Sequence, residues 1–214
     1  MTGEWWERKA RSEALLRARG VPINDWLPVI GESDDDKQLR PPREVAERAV
    51  ALYAVSVGAA PEEHENAVAF LRERGLWEAA SPKERAFLLN PRPEEQEVID
   101  FTWRYQALHV LLWALGHVEA LPFPDETCDL PLQEFVLGIP IEDFLGRAAL
   151  RPVDEILDAT DLIYRCHWAV VEAQLHGEEP AAGLEPDVVY ERHYALNWLT
   201  RYENAEWDHV STDT

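Results

Sequence analysis

The pattern of apolar and polar positions along the chain predicts helices and no sheet. Apolar side chains recur at helical spacing, and no stretch of strand length alternates β-branched with polar residues. Helix 82–89 begins with a capping box at Ser81 and Glu84. No segment repeats at a fixed period, so residues 1–214 are predicted to form a single all-α domain of about seven to nine helices. The predicted helices span residues 4–19, 42–58, 61–75, 82–89, 93–115, 132–149 (one or two short helices), 152–176 and 187–202.

Helix 93–115 has the most informative pattern. Pro93 stands where a first-turn proline belongs, and Gly116 stands where a left-handed end is easiest to form. Within residues 107–115 only His109 is not plainly apolar. Because a helix that is apolar on all sides must be buried on all sides, we expect this helix to be central, with the rest of the chain around it.

Charge narrows the range of partners. Asp and Glu total 41 against 20 Lys and Arg, which leaves a net charge of −21. Nucleic acids and anionic membrane surfaces are bound by clustered Lys and Arg, so neither is an expected partner. The surplus acid either keeps the protein soluble, which is the favoured interpretation, or recognises a basic protein. The first helix could also lie on this acidic surface through its basic side chains, which are Arg8, Lys9, Arg11, Arg17 and Arg19.

The chain has the features of a cytoplasmic protein without a bound metal or cofactor. Its first residues contain no apolar segment typical of a signal peptide, and no apolar run reaches the roughly 20 residues of a bilayer span. Cys128 and Cys166 suggest no disulfide framework. No nucleotide, phosphate, zinc or serine-hydrolase motif occurs. Most histidines lack a partner at metal-binding helical spacing, and His109 and His167 are expected to be core residues.

An acidic stripe on helix 152–176 has two interpretations. Asp154, Asp158 and Asp161 share one face, and Arg165 follows four residues after the last of them. The stripe could bind a cation or dock a basic partner. The favoured alternative is a solvated helix face with an Asp161–Arg165 pair, since amphipathic helices normally carry such charge.

Two further groups of residues have both a structural and a binding interpretation. Arg104 lies where helix 93–115 becomes wholly apolar, so it needs a carboxylate, and Asp100 is available one turn away. A pocket that binds an anion would show the same pattern. Tyr190, Tyr194 and Trp198 share one side of the last helix and could line a groove for a peptide or flat ligand. Packing against another tryptophan is favoured, the candidates being Trp5, Trp6 and Trp207.

The chain resembles the bacterial domain-of-unknown-function family 4272 over nearly its whole length. The matching stretches include SPKERAFLLNP, FTWRYQALHVLLWALG, EILDATDLIYRCHWAVVEAQLHG and VVYERHYALNWLTRYENAEWDHVSTDT. The resemblance implies a single helical domain and transfers no site, because the family has no established activity, substrate or cofactor. The distinctive polar residues of these stretches could form one internal network: Arg104, Arg165, His167, Glu191, Arg192, His193, Asn197 and Asp208.

Taken together, these patterns favour a non-enzymatic binding or interaction protein whose ligand they do not identify. The alternative is a small-molecule hydrolase or a metal-assisted enzyme that uses the internal Arg/His/Glu network. Convergence of Arg104, Arg165, Glu191 and His193 on a solvent-open pocket would favour the enzyme, and burial in satisfied clusters would not. The candidate binding residues are Arg104, Arg165, His167, Glu191, His193, Tyr190, Tyr194 and Trp198.

Overall fold

The computed structural model describes residues 3–32, 38–128 and 140–214, and within these ranges the predicted all-α class is confirmed. The described residues contain no β-strand, and no described helix combines the length and apolarity needed to cross a bilayer. The eight α-helices of these ranges are α1 (Glu4–Arg19), α2 (Pro42–Val57), α3 (His64–Glu73), α4 (Pro82–Leu89), α5 (Glu95–Ala114), α6 (Ile141–Gly146), α7 (Val153–His176) and α8 (Pro186–Leu199).

Several helix ends differ from the predicted ones by a few residues. Helix α5 begins at Glu95 rather than Pro93, because the Glu94 backbone N–H donates to the Glu97 carboxylate at 2.9 Å and closes a capping box. Helix α8 ends at Leu199, since Arg201 adopts a left-handed conformation with φ +57°. Of the predicted segment 132–149, the part up to residue 139 lies outside the described residues.

The helices pack in the order α2, α5, α8, α7 and α1, each against the next. The second half of α5, from Gln106 to Ala114, is buried as predicted, but its first half is only partly covered. Helix α8 is buried over most of its length and leaves only Pro186, Asp187 and Tyr190 unburied. Helix α2 is likewise buried from Val45 to Val55 except at Glu47. The centre of the fold is therefore formed by α2, α5 and α8 together and not by α5 alone.

The acidic stripe of α7 is covered by the basic helix α1. Arg8, which is only 1% exposed, donates from Nε to Asp158 at 2.8 Å and from Nη2 to Asp154 at 3.1 Å. Arg11 donates to both carboxylate oxygens of Asp158, at 2.8 and 2.9 Å. The first helix thus lies on an acidic surface of its own chain. Because Arg8 and Arg11 already bind Asp154 and Asp158, less of the charge of this stripe is available to a basic partner.

Candidate functional site

The predicted aromatic row of α8 packs inside the molecule except at its first residue. The Tyr190 and Tyr194 ring centroids lie 5.9 Å apart, and Tyr194 and Trp198 meet Trp207 edge to face at 5.1 and 5.3 Å. The Tyr194 hydroxyl also donates to the Trp207 carbonyl. Trp207 is therefore the packing partner among the tryptophans considered from the sequence. Of these four aromatic residues, Tyr190 is the exposed one, at 40%.

Guanidinium groups cover the buried part of this row. Cation–π contacts of this kind favour arginine, whose planar group stacks on an aromatic face. Each of these three arginines is paired with a carboxylate, Arg40 with Glu44 at 2.6 Å, Arg48 with Glu84 and Arg104 with Glu191 at 2.9 Å. The aromatic row therefore joins α2, α5 and α8 as part of the core. The contacts are Arg104 over Tyr194 at 4.8 Å, Arg40 over Trp198 at 4.5 Å and Arg48 over Trp207 at 4.2 Å.

Arg104 pairs with Glu191 of α8 and not with Asp100 of its own helix. Its Nη1 donates to both Glu191 carboxylate oxygens, at 2.9 and 3.1 Å. Asp100 instead accepts from the Gln96 side chain at 2.8 Å. Burial raises the pKa of the Glu191 carboxyl to about 7, although the adjacent Arg104 acts in the opposite direction. Glu191 therefore titrates near neutral pH.

An open cavity of about 270 Å³ adjoins this ion pair and is called the α5–α8 cavity. Three of its lining residues are carboxylates, and its one guanidinium, Arg104, is bound to one of them. The other two lining residues are aromatic. The cavity therefore combines surplus negative charge with aromatic surface. Its lining residues are Asp100, Trp103, Arg104, Asp187, Tyr190 and Glu191.

A larger cavity, about 580 Å³, lies at the other end of α8, beside Trp198 and Trp207. Five carboxylates line it, and three of them are paired with arginines, which leaves Glu206 and Asp208 outside these pairs. The smaller α5–α8 cavity is the stronger candidate site because its lining includes three of the candidate binding residues, Arg104, Tyr190 and Glu191, whereas the lining of the larger cavity includes one, Trp198. The pairs are Glu44 with Arg40 at 2.6 Å, Glu47 with Arg43 at 2.9 Å and Glu78 with Arg85 at 2.8 Å.

His167 and His193 form a buried chain of hydrogen bonds with Asn197. The carbonyl of Ser211, which accepts from Asn197, determines which ring nitrogens of this chain carry protons. The Asn197 amide nitrogen donates to the Ser211 carbonyl at 2.9 Å and lies 3.0 Å from Nε2 of His193. A carbonyl oxygen only accepts, so the Asn197 atom bonded to it is the amide nitrogen. An amide nitrogen only donates, so it also donates to Nε2 of His193. His193 then carries its proton on Nδ1 and donates it to Nδ1 of His167 at 2.7 Å. Burial lowers the pKa of His193 to about 3 and that of His167 to about 4, so both rings are neutral at neutral pH.

Arg165 lies in a third, separate cluster. Its Nε and Nη2 bind the two Asp161 carboxylate oxygens at 2.9 and 2.7 Å, and Nη2 also donates to the Pro28 carbonyl at 3.0 Å. This confirms the predicted Asp161–Arg165 pair. The single polar network considered from the sequence is instead divided into several clusters. Of the four residues expected to converge in an enzyme site, only Arg104 and Glu191 line the α5–α8 cavity.

The described residues offer little for metal or nucleophile chemistry. Among them, no three His, Cys, Asp or Glu side chains converge as metal ligands. Cys166 is buried, and burial raises its pKa to about 12, so it remains a thiol at neutral pH. The adjacent His167 already uses Nδ1 for its bond to His193.

Arg192, the one arginine of α8, was not among the candidate binding residues. It is buried in the wall of a third cavity, about 300 Å³, between α5, α7 and α8. Two sequence signals were its place among the distinctive polar residues of the family stretches and its position on the last helix between core residues such as Val188 and Leu196.

The fold and its cavities define an acidic, all-helical domain with ligand-sized spaces along one buried helix. The sequence model of the family described as "Domain of unknown function (DUF4272)" matches residues 8–210, and the chain belongs to this family. The resemblance inferred from the sequence is therefore confirmed, over nearly the whole chain. Comparisons with curated proteins and with solved structures found no match.

Proposed function

We propose that this protein is a non-enzymatic binding protein that takes up a positively charged group in the α5–α8 cavity. The observation that carries the proposal is the charge of the lining. Asp100, Asp187 and Glu191 face the space together with Arg104, whose Nη1 is committed to Glu191. A ligand cation would therefore meet net negative charge in a partly desolvated setting, where Coulomb attraction is stronger than in water.

The aromatic residues of the cavity suit the same kind of ligand. Trp103 is half-buried and Tyr190 is 40% exposed, so both rings can be reached from the cavity. An ammonium or guanidinium group over such a ring gains about 0.5–2 kcal/mol, depending on how far it is desolvated. Together, the rings and carboxylates favour an amine or a basic side chain over a neutral molecule.

A lysine or arginine of a basic protein is the partner that best fits these features. The net charge of −21 would accelerate association with such a partner and make it sensitive to salt. We further propose a cytoplasmic location, because a buried thiol such as Cys166 suits a reducing compartment. The hydrolase alternative has less support, since Arg165 and His193 lie in clusters away from this cavity.

Calorimetric titration with acetyl-tetralysine amide at low salt tests the proposal, with tetraglutamate as the opposite-charge probe. The double variant Asp100→Asn/Asp187→Asn should weaken tetralysine binding roughly three- to tenfold, because it removes two of the carboxylates that line the cavity. Glu62→Gln/Glu65→Gln is the matched control, since it removes the same charge from exposed positions elsewhere. An equal effect of both variants, or no binding of tetralysine at low salt, would refute the proposal.

A further inference from the structure

Arg192 is a buried arginine whose guanidinium is only partly bonded. It is 2% exposed, and its Nη1 donates to the Pro122 carbonyl at 2.6 Å. Its Nε and Nη2 have no hydrogen-bond partner among the described residues. Burial lowers the pKa of Arg192, and its charge adds to burial in lowering the pKa of His109 to about 4. The carboxylate of Asp125 acts in the opposite direction on the pKa of Arg192, but burial outweighs it.

The other buried arginines show that this chain normally supplies a countercharge. Arg165 is the most direct comparison, because its Nε and Nη2 bind both oxygens of one carboxylate. In Arg192 the same edge of the guanidinium, formed by Nε and Nη2, has no hydrogen-bond partner among the described residues. A buried, unpaired charge destabilises the folded state, so its presence calls for an explanation. The paired examples are Arg8 with Asp154 and Asp158, Arg48 with Glu84, and Arg165 with Asp161.

Arg192 lines an open cavity with mostly apolar walls, called the Arg192 cavity. Its volume of about 300 Å³ is at the lower end of the range for small-molecule sites. The lining also includes Arg151 and two carboxylates. Arg151 is already bonded to Glu155 at 3.2 Å and to the Trp113 carbonyl at 2.7 Å, and the other carboxylate, Glu119, belongs to an exposed residue. Arg192 is therefore the positive group with donors to spare. The apolar walls include Trp113, Leu121, Pro122, Leu162, Ile163 and Leu196.

We infer that the Arg192 cavity binds a small amphipathic anion. Nε and Nη2 of Arg192 have almost no contact with solvent, so the guanidinium would turn towards the cavity on binding. One oxyanion head, a carboxylate or a phosphate monoester, would then accept from both nitrogens in the bidentate geometry that guanidinium favours. The apolar body of the ligand would lie against the walls and gain from burial there. This ligand has the opposite charge to the one proposed for the α5–α8 cavity, and the two sites share no lining residue.

Four probes with the same chain separate the contribution of the head from that of the body. Octanoate, octyl phosphate, octanol and octylammonium are titrated by calorimetry, and the melting temperature is followed in parallel. At least one of the two anions should bind at least about tenfold more tightly than octanol and octylammonium, because a charge-assisted bidentate pair supplies that difference. A preference between the two anions identifies the natural head group.

Variants distinguish recognition by Arg192 from a purely structural role. Arg192→Met should weaken the preferred anion roughly ten- to hundredfold and leave octanol binding unchanged. Its melting temperature without ligand should not fall, because the variant removes an uncompensated buried charge. Arg165→Met is the matched control and should melt at a lower temperature, since it leaves Asp161 buried without its partner.

A second variant, Ala159→Leu, narrows the cavity and leaves Arg192 in place. It should weaken all probes that bind the cavity, because it reduces the space for their chain. Equal affinity for octanol and the anions, unchanged anion binding by Arg192→Met, or no binding of either anion would each overturn the inference.

Discussion

Nδ1 of His193 lies 2.7 Å from Nδ1 of His167, and the first atom donates to the second. The direction follows from Asn197, whose amide nitrogen donates to both the Ser211 carbonyl and Nε2 of His193. If both rings were protonated, both Nδ1 atoms would be donors and would repel each other. The neutral pair therefore connects α7 and α8, and through Asn197 also the C-terminal segment.

Acid should unfold the protein through this pair. Both folded-state pKa values, about 4 for His167 and about 3 for His193, lie below the usual histidine value of 6.5. The unfolded state therefore binds more protons below pH 6.5, and stability is full above that pH and lost as pH falls towards 4. His109, whose pKa is also about 4, adds to this loss, and Glu191, whose raised pKa of about 7 favours the folded state as pH falls, opposes it. Urea unfolding at several pH values should show a net loss on the order of a few kcal/mol across this range.

His167→Gln provides the variant for this prediction, because a Gln carbonyl can still accept from His193 but does not titrate. Its stability should fall less steeply with acid. His176→Gln is the control, since His176 is exposed and its pKa is raised by the carbonyl and carboxylate of Glu172. A wild-type stability that is constant between pH 6.5 and pH 4 would contradict the inferred neutral pair.

The contact between α1 and α7 should depend mainly on Arg8. Arg8→Met removes a buried guanidinium that binds Asp154, Asp158 and the Ile30 carbonyl, so we expect a loss of about 1–3 kcal/mol in unfolding free energy. Arg11→Met removes an exposed pair and should cost about 0–1 kcal/mol. Urea unfolding measures both. Equal losses of unfolding free energy in Arg8→Met and Arg11→Met would show that the burial of Arg8 adds nothing to stability.

Binding in the α5–α8 cavity should strengthen as pH rises through the pKa of Glu191. That pKa is about 7, so the carboxyl becomes charged between roughly pH 6 and pH 8, while a lysine ligand stays protonated. Tetralysine affinity, measured by calorimetry, should rise over this range. Glu191→Gln should abolish the rise, whereas Asp187→Asn should preserve it. A rise that persists in Glu191→Gln would assign the titration to another group.

Purified protein should contain no stoichiometric transition metal. The described residues hold no cluster of three potential ligands, and the shared Nδ1 contact occupies one nitrogen of each ring in the His167–His193 pair. Elemental analysis after incubation with zinc and dialysis measures the metal content. About one zinc, iron or manganese per chain would contradict this expectation and direct attention to His109, His167 and His193.

Most of the secondary structure was predictable because its signals are local. The capping box of Ser81 and Glu84 forms as expected, with the Glu84 backbone N–H donating to the Ser81 hydroxyl at 3.2 Å. Gly116 adopts the predicted left-handed conformation, with φ +79°. Each of these features depends on residues within one or two helical turns. The apolar stretch of α5 was also sufficient to predict which part of that helix is buried.

The sequence by itself thus determined the helical class, most helix ends, the buried half of α5 and the surplus of negative charge. Only the tertiary structure decided how the charges are used. Asp100 was near Arg104 in sequence, yet the partner is Glu191, 87 residues away. Arg8 and Asp158 are 150 residues apart, and nothing near either residue specifies the other. Periodicity shows which face of a helix is buried, but the partner of a buried charge depends on which helices pack together.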